Sequence, residues 1–464
     1  MVKKGETLSL RIDSLAYGGR GVARHDQCVI FVDKALPYQE VSAFIYKKRS
    51  GYGEAKILDI LKESKKRADP MCEHFSHCGG CAHQNLDYTE QIEQKRKQIE
   101  DIFSRQAGIK DFQVSTIIPA QEIYHYRNKM EFTFSSQRWI LSDEKEGAES
   151  DFALGLHVPR RWDKILNINA CHIQQTVGNE IVNFVRAESK RLELKPYNQK
   201  THNGFLRHLV LRFGINTGDI MVNFVTSYEK TELLVPLVDS LVSRFPEITS
   251  ILNNVNRKKS DTAYGEWENI LHGTSYIEEN INDLTFEISS NSFFQTNTRQ
   301  AEKLYAEILK EAKLTGKEIV FDLYCGTGTM ALYLARQAQE VIGFEVVKVA
   351  VEDAIRNSVR NGIGNVQFVR TNLEKYKPDI SLPLPDVVVV DPPRAGLQGS
   401  AVKSILSFGA KKIIYVSCNP STQARDTLAF LQGGYQLKSM ILIDLLFILF
   451  LIFFKSYTPH CHSI

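Results

Sequence analysis

The sequence predicts an α/β protein built from three parts. A doubly wound parallel sheet occupies residues 286–464, a small β-barrel occupies 1–62, and a β-rich central domain of 63–285 separates them. Three observations carry this reading. The chain has 464 residues, room for about three domains at roughly 150 residues each. From about Phe286 onward, apolar strand-like runs alternate with helical runs, the texture of a parallel sheet. Before Ile60, short β-like runs are punctuated by paired glycines, the texture of a barrel. Hydrophobic residues at 43% and charged residues at 24% exclude general disorder.

The first segment reads as five short strands of an oligonucleotide-binding (OB) type barrel: LSLRIDSL, AYGGRGVARH, CVIFV and the long EVSAFIYKKRSGYGEAKILDIL. Lys47, Lys48, Arg49 and Lys56 interleave there with Tyr46 and Tyr52, a pattern suited to phosphate contacts and base stacking; a solvated, charged edge strand is the alternative. Residues 1–69 hold fourteen Lys and Arg against nine Asp and Glu, whereas the whole chain is nearly balanced at 57 against 54. The opening MVKKGETLSL carries no apolar stretch after its lysines, so a cytoplasmic protein is expected. Its eight cysteines are then expected to serve metal binding or catalysis rather than disulfides.

Between 63 and 110 a charged connector leads through CEHFSHCGGC into a polar helix predicted over Tyr88 to Gln106. Cys72, Cys78 and Cys81 stand as C-x5-C-x2-C, and Cys171 follows after a long gap. Three clustered thiols and a distant fourth suit a closed four-thiolate site, for zinc or for a [4Fe–4S] cluster alike; unrelated thiols are the alternative. His74, His77 and His83 are read as loop residues. From Ile117 to about Glu287 runs such as KMEFTFSS, HLVLRFG and DIMVNFVT predict a mostly antiparallel sheet.

In the last part, VFDLYCGTGTM is a buried strand entering a glycine-rich turn and then a helix. Gly326 and Gly328 permit a tight backbone against a ligand, and Glu345, 19 positions past Gly326, ends the next strand where a carboxylate can accept from ribose hydroxyls. NAD and S-adenosylmethionine both fit this much. The strand VVVVDPPRAG, which sets Asp391 before two prolines, favours S-adenosylmethionine.

KKIIYVSCNP delivers Cys418 to the end of another apolar strand, the edge at which ligands of open α/β sheets collect. Pro420 stops the strand, so Cys418 is expected to face the cleft; a buried, inert cysteine is the alternative. A cysteine there has a specific use. Carbon 5 of uracil is too weak a nucleophile to take a methyl group directly, but a thiolate adding at carbon 6 makes it reactive. A general base must then remove the carbon 5 proton so that the sulfur can leave.

With these motifs assembled, the chain resembles the RNA uracil C5-methyltransferases that modify ribosomal or transfer RNA. The resemblance rests on the barrel, similar to a TRAM domain, the four cysteines, FFQTN at 293–297, DLYCGTGT, DPPRAG and SCNP. It implies a Rossmann-like methyltransferase domain over 286–464 and a [4Fe–4S] cluster, with zinc as the alternative, on Cys72, Cys78, Cys81 and Cys171. It further implies that Gln295, Tyr324, Glu345 and Asp391 line the S-adenosylmethionine and target-base site, that Asn372 approaches the adenine, and that Cys418 is the nucleophile. The TRAM-like barrel favours large-subunit ribosomal RNA over transfer RNA, and a monomer with no membrane association is expected.

The C-terminus departs from the family pattern. There Asp444 would be followed by a Phe-Pro-x-Thr-x-His-x-Glu type segment carrying the general base, whereas here LLFILFLIFF follows and no glutamate occurs after Glu374. Ten apolar residues are too few for the ~20 that span a bilayer. Of the two remaining readings, a buried strand pair and an altered reading frame at the terminus, the second is the one favoured; His460, His462 or water as a substitute base carries little weight. A catalytically impaired RNA-binding protein is therefore the rival to a complete methyltransferase. An iron–sulfur redox enzyme is disfavoured by the fourth cysteine.

Overall fold

The computed structural model describes residues 2–109, 113–375, 382–445 and 448–456. The chain divides into two compact units, 1–114 and 115–464, so the cysteine-bearing loop and the helix after it belong with the N-terminal barrel.

Unit one holds six strands, β1 (Thr7–Arg11), β2 (Ser14–Leu15), β3 (Gly21–His25), β4 (Cys28–Asp33), β5 (Glu40–Lys48) and β6 (Tyr52–Lys62). Their order in the sheet is β1-β5-β6-β4-β3-β2, so the two edge strands are consecutive in the chain and the sheet curls back on itself. Strict alternation drives this: Ile30, Val32, Val41, Ala43, Ile45 and Ala55 point inward and are fully buried. Helix α1 (Tyr88–Gln106) coincides with the predicted helix and is capped by Asp87, which accepts from the Glu90 N–H. Gln94 of α1 accepts from the Leu15 N–H at 2.8 Å, which ties helix to barrel.

Unit two opens with β7 (Thr116–Ile118) and then builds a seven-stranded sheet from β8 (Lys129–Ser135), β9 (Ala153–Val158), β10 (Arg161–Asn167), β11 (Leu206–Phe213), β12 (Ile220–Thr226), β13 (Ser250–Val255) and β14 (Trp267–Gly273). All its pairings are antiparallel except β12 with β13, as the sequence texture suggested. Helices α2 (Thr176–Arg191) and α3 (Val235–Arg244) accompany it, and the hairpin of β15 (Tyr276–Ile281) and β16 (Leu284–Ser289) follows.

The remainder is the doubly wound layer: α4 (Thr298–Ala312), β17 (Ile319–Leu323), α5 (Thr329–Ala335), β18 (Glu340–Glu345), α6 (Lys348–Arg360), β19 (Val366–Arg370), β20 (Val387–Val390), α7 (Gly399–Ser407), β21 (Lys412–Ser417), α8 (Pro420–Gln432), β22 (Tyr435–Asp444) and β23 (Ile448–Ser456). The sheet order is β19-β18-β17-β20-β21-β23-β22-β7, with β23 antiparallel to both of its neighbours. The strand order reverses between β17 and β20, which opens a crevice at their carboxyl ends.

The apolar run favoured above as an altered terminus therefore has a structural place, the one described by the buried-strand alternative. Leu451 and Phe453 enter the main core with Leu304 and Ile308 of α4, while Phe454 meets the Phe430 ring of α8 at 5.2 Å. Leu451 to Phe454 are all buried, and a strand covered on both faces reads as an unbroken apolar run without alternation. His460 and His462 lie outside the described residues.

Candidate functional site

The switch point brings together the ends of β17, β18, β20 and β21. Leu323 pairs with Val390, so the residues that follow them, Tyr324 and Asp391, emerge side by side, and the Asp391 N–H donates to the Leu323 carbonyl at 3.3 Å. The turn after β17 is shaped by left-handed backbone at Tyr324 (φ 64°), Gly326 (φ 55°) and Gly328 (φ 78°). Gly328 has a second reason to be glycine, since a Cβ there would lie 2.7 Å from Phe368 and 2.9 Å from Ala354. At Tyr324 the same backbone region is strained for a side chain, a strain characteristic of functional turns.

Glu345 clamps this turn from β18. One carboxylate oxygen accepts from the Gly326 N–H at 3.1 Å and the other from the N–H groups of Val346 and Val347 at 2.8 Å. A carboxylate offers about four acceptor positions, so capacity remains for a ribose. Asn372 follows β19, and its side-chain oxygen accepts from the Glu374 N–H at 2.9 Å. Burial and the charges of Glu374, Asp426 and Glu345 push the Tyr324 phenol up to about 12.

Cys418 follows β21 directly, half-buried against the main core. Burial and the Asp391 carboxylate push its thiol above the ordinary value, while the Arg394 guanidinium, hydrogen-bonded to the sulfur, pulls the other way. Burial pushes Asp391 itself up to about 7. Gln295 reaches across and donates its amide N–H to Asp391 Oδ2 at 3.3 Å. The sequence-predicted Gln295, Asp391 and Cys418 thus form one group, with Tyr324, Gly326, Gly328 and Glu345 along the adjoining turn.

Several supporting residues carry no motif. Asn128, from before β8, donates to the Gln295 carbonyl at 2.8 Å and to the Thr298 hydroxyl at 2.9 Å, which fixes the loop that presents Gln295. Asn419 caps α8 and also donates to the Arg394 carbonyl at 3.0 Å, joining the Cys418 turn to the loop after β20. Asp426 of α8 accepts from the Tyr415 hydroxyl at 2.7 Å and the Leu397 N–H at 2.8 Å, pinning the far end of that loop. Asp322, buried beneath the glycine turn, has one oxygen without a hydrogen-bond partner and a carboxyl raised well above its usual range by burial and by Asp391. Only its place in FDLYCGTGT could have singled it out.

The expected four-thiolate site finds no support. Cys72, Cys78 and Cys81 lie in unit one and Cys171 in unit two. Among the described residues no three His, Cys, Asp or Glu side chains are gathered to hold a metal ion. Local turns wind the loop: the Cys78 N–H donates to the His74 carbonyl at 2.7 Å and the Cys78 sulfur accepts from the Gly80 N–H at 3.3 Å. Cys171 is buried, its N–H bound to the Asn179 side chain at 2.8 Å.

Similarity to known proteins accords with this geometry. The sequence model of the tRNA (uracil-5-)-methyltransferase family matches residues 263–452. An uncharacterized RNA methyltransferase of Chlorobaculum tepidum is 37% identical over 454 residues, spanning 96% of this chain and 94% of its own. Another, of Halalkalibacterium halodurans, is 36% identical over 446 residues, spanning 96% and 95%. The crystal structure of Pyrococcus abyssi tRNA (uracil-54, C5)-methyltransferase in complex with S-adenosyl-L-homocysteine matches with a TM-score of 0.74 and 28% identity, covering 96% of this chain and 100% of that one.

Proposed function

The chain belongs to the RNA uracil C5-methyltransferase family, and from that premise we propose that it methylates carbon 5 of a uridine in RNA through a covalent bond between Cys418 and carbon 6. The observation that supports this most is the delivery of Cys418 to the switch-point crevice between Arg394 and Asp391. The residues of the glycine turn fit S-adenosylmethionine: Gly326 and Gly328 let the backbone approach it, Glu345 takes the ribose, and Tyr324 and Asn372 flank it. That molecule supplies an electrophilic methyl group.

In this reading a flipped uridine enters beside Cys418, since its ring carbons are unreachable while stacked. The thiol loses its proton, the Arg394 charge favouring the thiolate, and the sulfur adds to carbon 6. Negative charge moves onto the ring oxygen at carbon 4. Asp391, protonated about half the time near neutral pH, can donate a hydrogen bond to that oxygen, and the Gln295 amide holds the carboxyl in orientation. After methylation the carbon 5 proton leaves to a base and the carbon–sulfur bond breaks. The substrate proposed is ribosomal RNA, from the TRAM-like barrel; transfer RNA is the alternative, the class named for the Pyrococcus abyssi enzyme.

One observation favours a second reading. No glutamate follows Glu374, and β23 begins four residues after Asp444, where the family's base-bearing segment belongs. A chain lacking that base would stall as the methylated covalent adduct. RNA containing 5-fluorouridine tests the nucleophile, because fluorine cannot leave as a proton does and the adduct persists. Wild type with S-adenosylmethionine is expected to give a cross-linked band and Cys418→Ala none; a cross-link that survives in Cys418→Ala overturns the assignment. With ordinary uridine RNA, released 5-methyluridine marks complete turnover, and an adduct without product marks the impaired enzyme.

A further inference from the structure

Unit two contains a cavity that the reaction just described does not use. Its volume is about 140 Å³, and its walls include Gln121, Glu122, His125, Asn297, Arg299 and Lys303. A water occupies about 30 Å³ of liquid volume, so the space admits a group of several heavy atoms. It borders the target-base machinery: Asn297 lies two residues beyond Gln295, and Gln300, also in the wall, donates its side chain to the Asp444 carbonyl at 2.8 Å.

The charges in this cavity are unequally matched. Arg299 is paired with Glu122. Lys303 is half-buried, burial lowers its ammonium below the ordinary value, and among the described residues no carboxylate lies within ion-pairing distance of it. A partly dehydrated cation without a protein counter-ion gains from a ligand that supplies the anion. The surrounding wall is rich in hydrogen-bonding groups. The His125 N–H donates to the His172 carbonyl at 2.8 Å, its ring Nδ1 meets the Gln174 carbonyl at 2.8 Å, and the Gln175 amide donates to the His125 carbonyl.

We infer that this cavity binds a phosphodiester of the substrate strand next to the flipped uridine, with Lys303 as its counter-ion and Arg299 as a neighbouring donor. The inference rests on the proposed RNA methylation and extends it by naming where the strand is anchored beside the base. A backbone phosphate held two residues from Gln295 in sequence would set the position of the nucleotide entering the site without reading its identity.

Each phosphate neutralised by a protein cation on a single strand contributes about 0.7 to the slope of log affinity against log salt. Binding of a fluorescently labelled RNA stem-loop would be titrated at several salt concentrations for wild type, Lys303→Gln and Lys303→Arg. The expected result is a slope shallower by about 0.7 in Lys303→Gln and restored in Lys303→Arg. An unchanged slope in Lys303→Gln overturns the inference. Inorganic phosphate forms the second arm: if it binds wild type but not Lys303→Gln while the RNA slope stays constant, the cavity takes free anions and the strand is excluded. The 5-fluorouridine cross-link is independent of both arms. Its failure in wild type would sink the methylation reading while the salt slope still reported on Lys303.

Discussion

Burial raises the Cys418 thiol, and two opposed neighbours adjust it, each of which can be removed. Asp391 disfavours the thiolate by like charge, whereas Arg394 favours it. Replacing Arg394 by Gln should therefore move the pH midpoint of Cys418 alkylation upward, and Asp391→Asn should move it downward. Peptide-resolved mass spectrometry of iodoacetamide labelling across a pH series separates Cys418 from the other thiols; shifts of the opposite sign would refute the arrangement. Asp391 also links to stability. Its carboxyl is raised to about 7, so between its unfolded value near 4 and about 7 the folded state holds the extra proton. Stability should fall as pH rises through that window, and Asp391→Asn should flatten the fall in urea titrations at pH 5 and pH 8. Cys418, Asp391 and the glycine turn were legible because each follows an apolar strand that ends at a turn-former. Asn128 and Asp426 were not, since what they do depends on partners 167 and 29 residues away.

At the scale of elements, the two glycines of the turn differ in a way that separates backbone conformation from space. Gly326 has open room around a Cβ, so Gly326→Ala pays only for its left-handed backbone, about 1 kcal/mol. Gly328→Ala adds a collision with Phe368 and Ala354 and should cost about 2–4 kcal/mol, with loss of S-adenosylmethionine binding by calorimetry. Equal effects of the two would contradict the packing described. Strand β23 shows where periodicity misleads. Apolar alternation marks a strand with one wet face, but β23 lies between β21 and β22 and Leu451 to Phe454 are buried on both faces, so that stretch carries no period of two. Phe453→Ala is expected to cost about 3–5 kcal/mol by urea denaturation, as for any buried aromatic, while an exposed tail would lose nothing.

Over the whole molecule, chemistry and charge are divided between units: the crevice residues named above belong to unit two, while the basic surplus of the sequence lies within residues 1–69 of unit one. Composition shows that surplus but not which cations are available. Glu54 takes up Lys47 at 2.7 Å and Arg20 at 3.4 Å, and Tyr46 donates its hydroxyl to Asp33 and Glu54, so two of the residues expected to meet RNA already have carboxylate partners. Among the described residues Lys48, Arg49 and Lys56 have no carboxylate partner; Lys48 bonds the Arg49 carbonyl, and Lys56 lies 5.6 Å over the Phe44 ring. If unit one grips the phosphates, the triple change Lys48→Gln, Arg49→Gln, Lys56→Gln should make the salt slope of RNA binding shallower by about 2, since each contact contributes about 0.7. Lys47→Gln should change it little, because that ammonium already has its anion. Both variants should leave the pH midpoint of Cys418 alkylation at its wild-type position. A triple variant with an unaltered slope would show the basic strand to be a solvated edge, and RNA recognition would then have to reside in unit two.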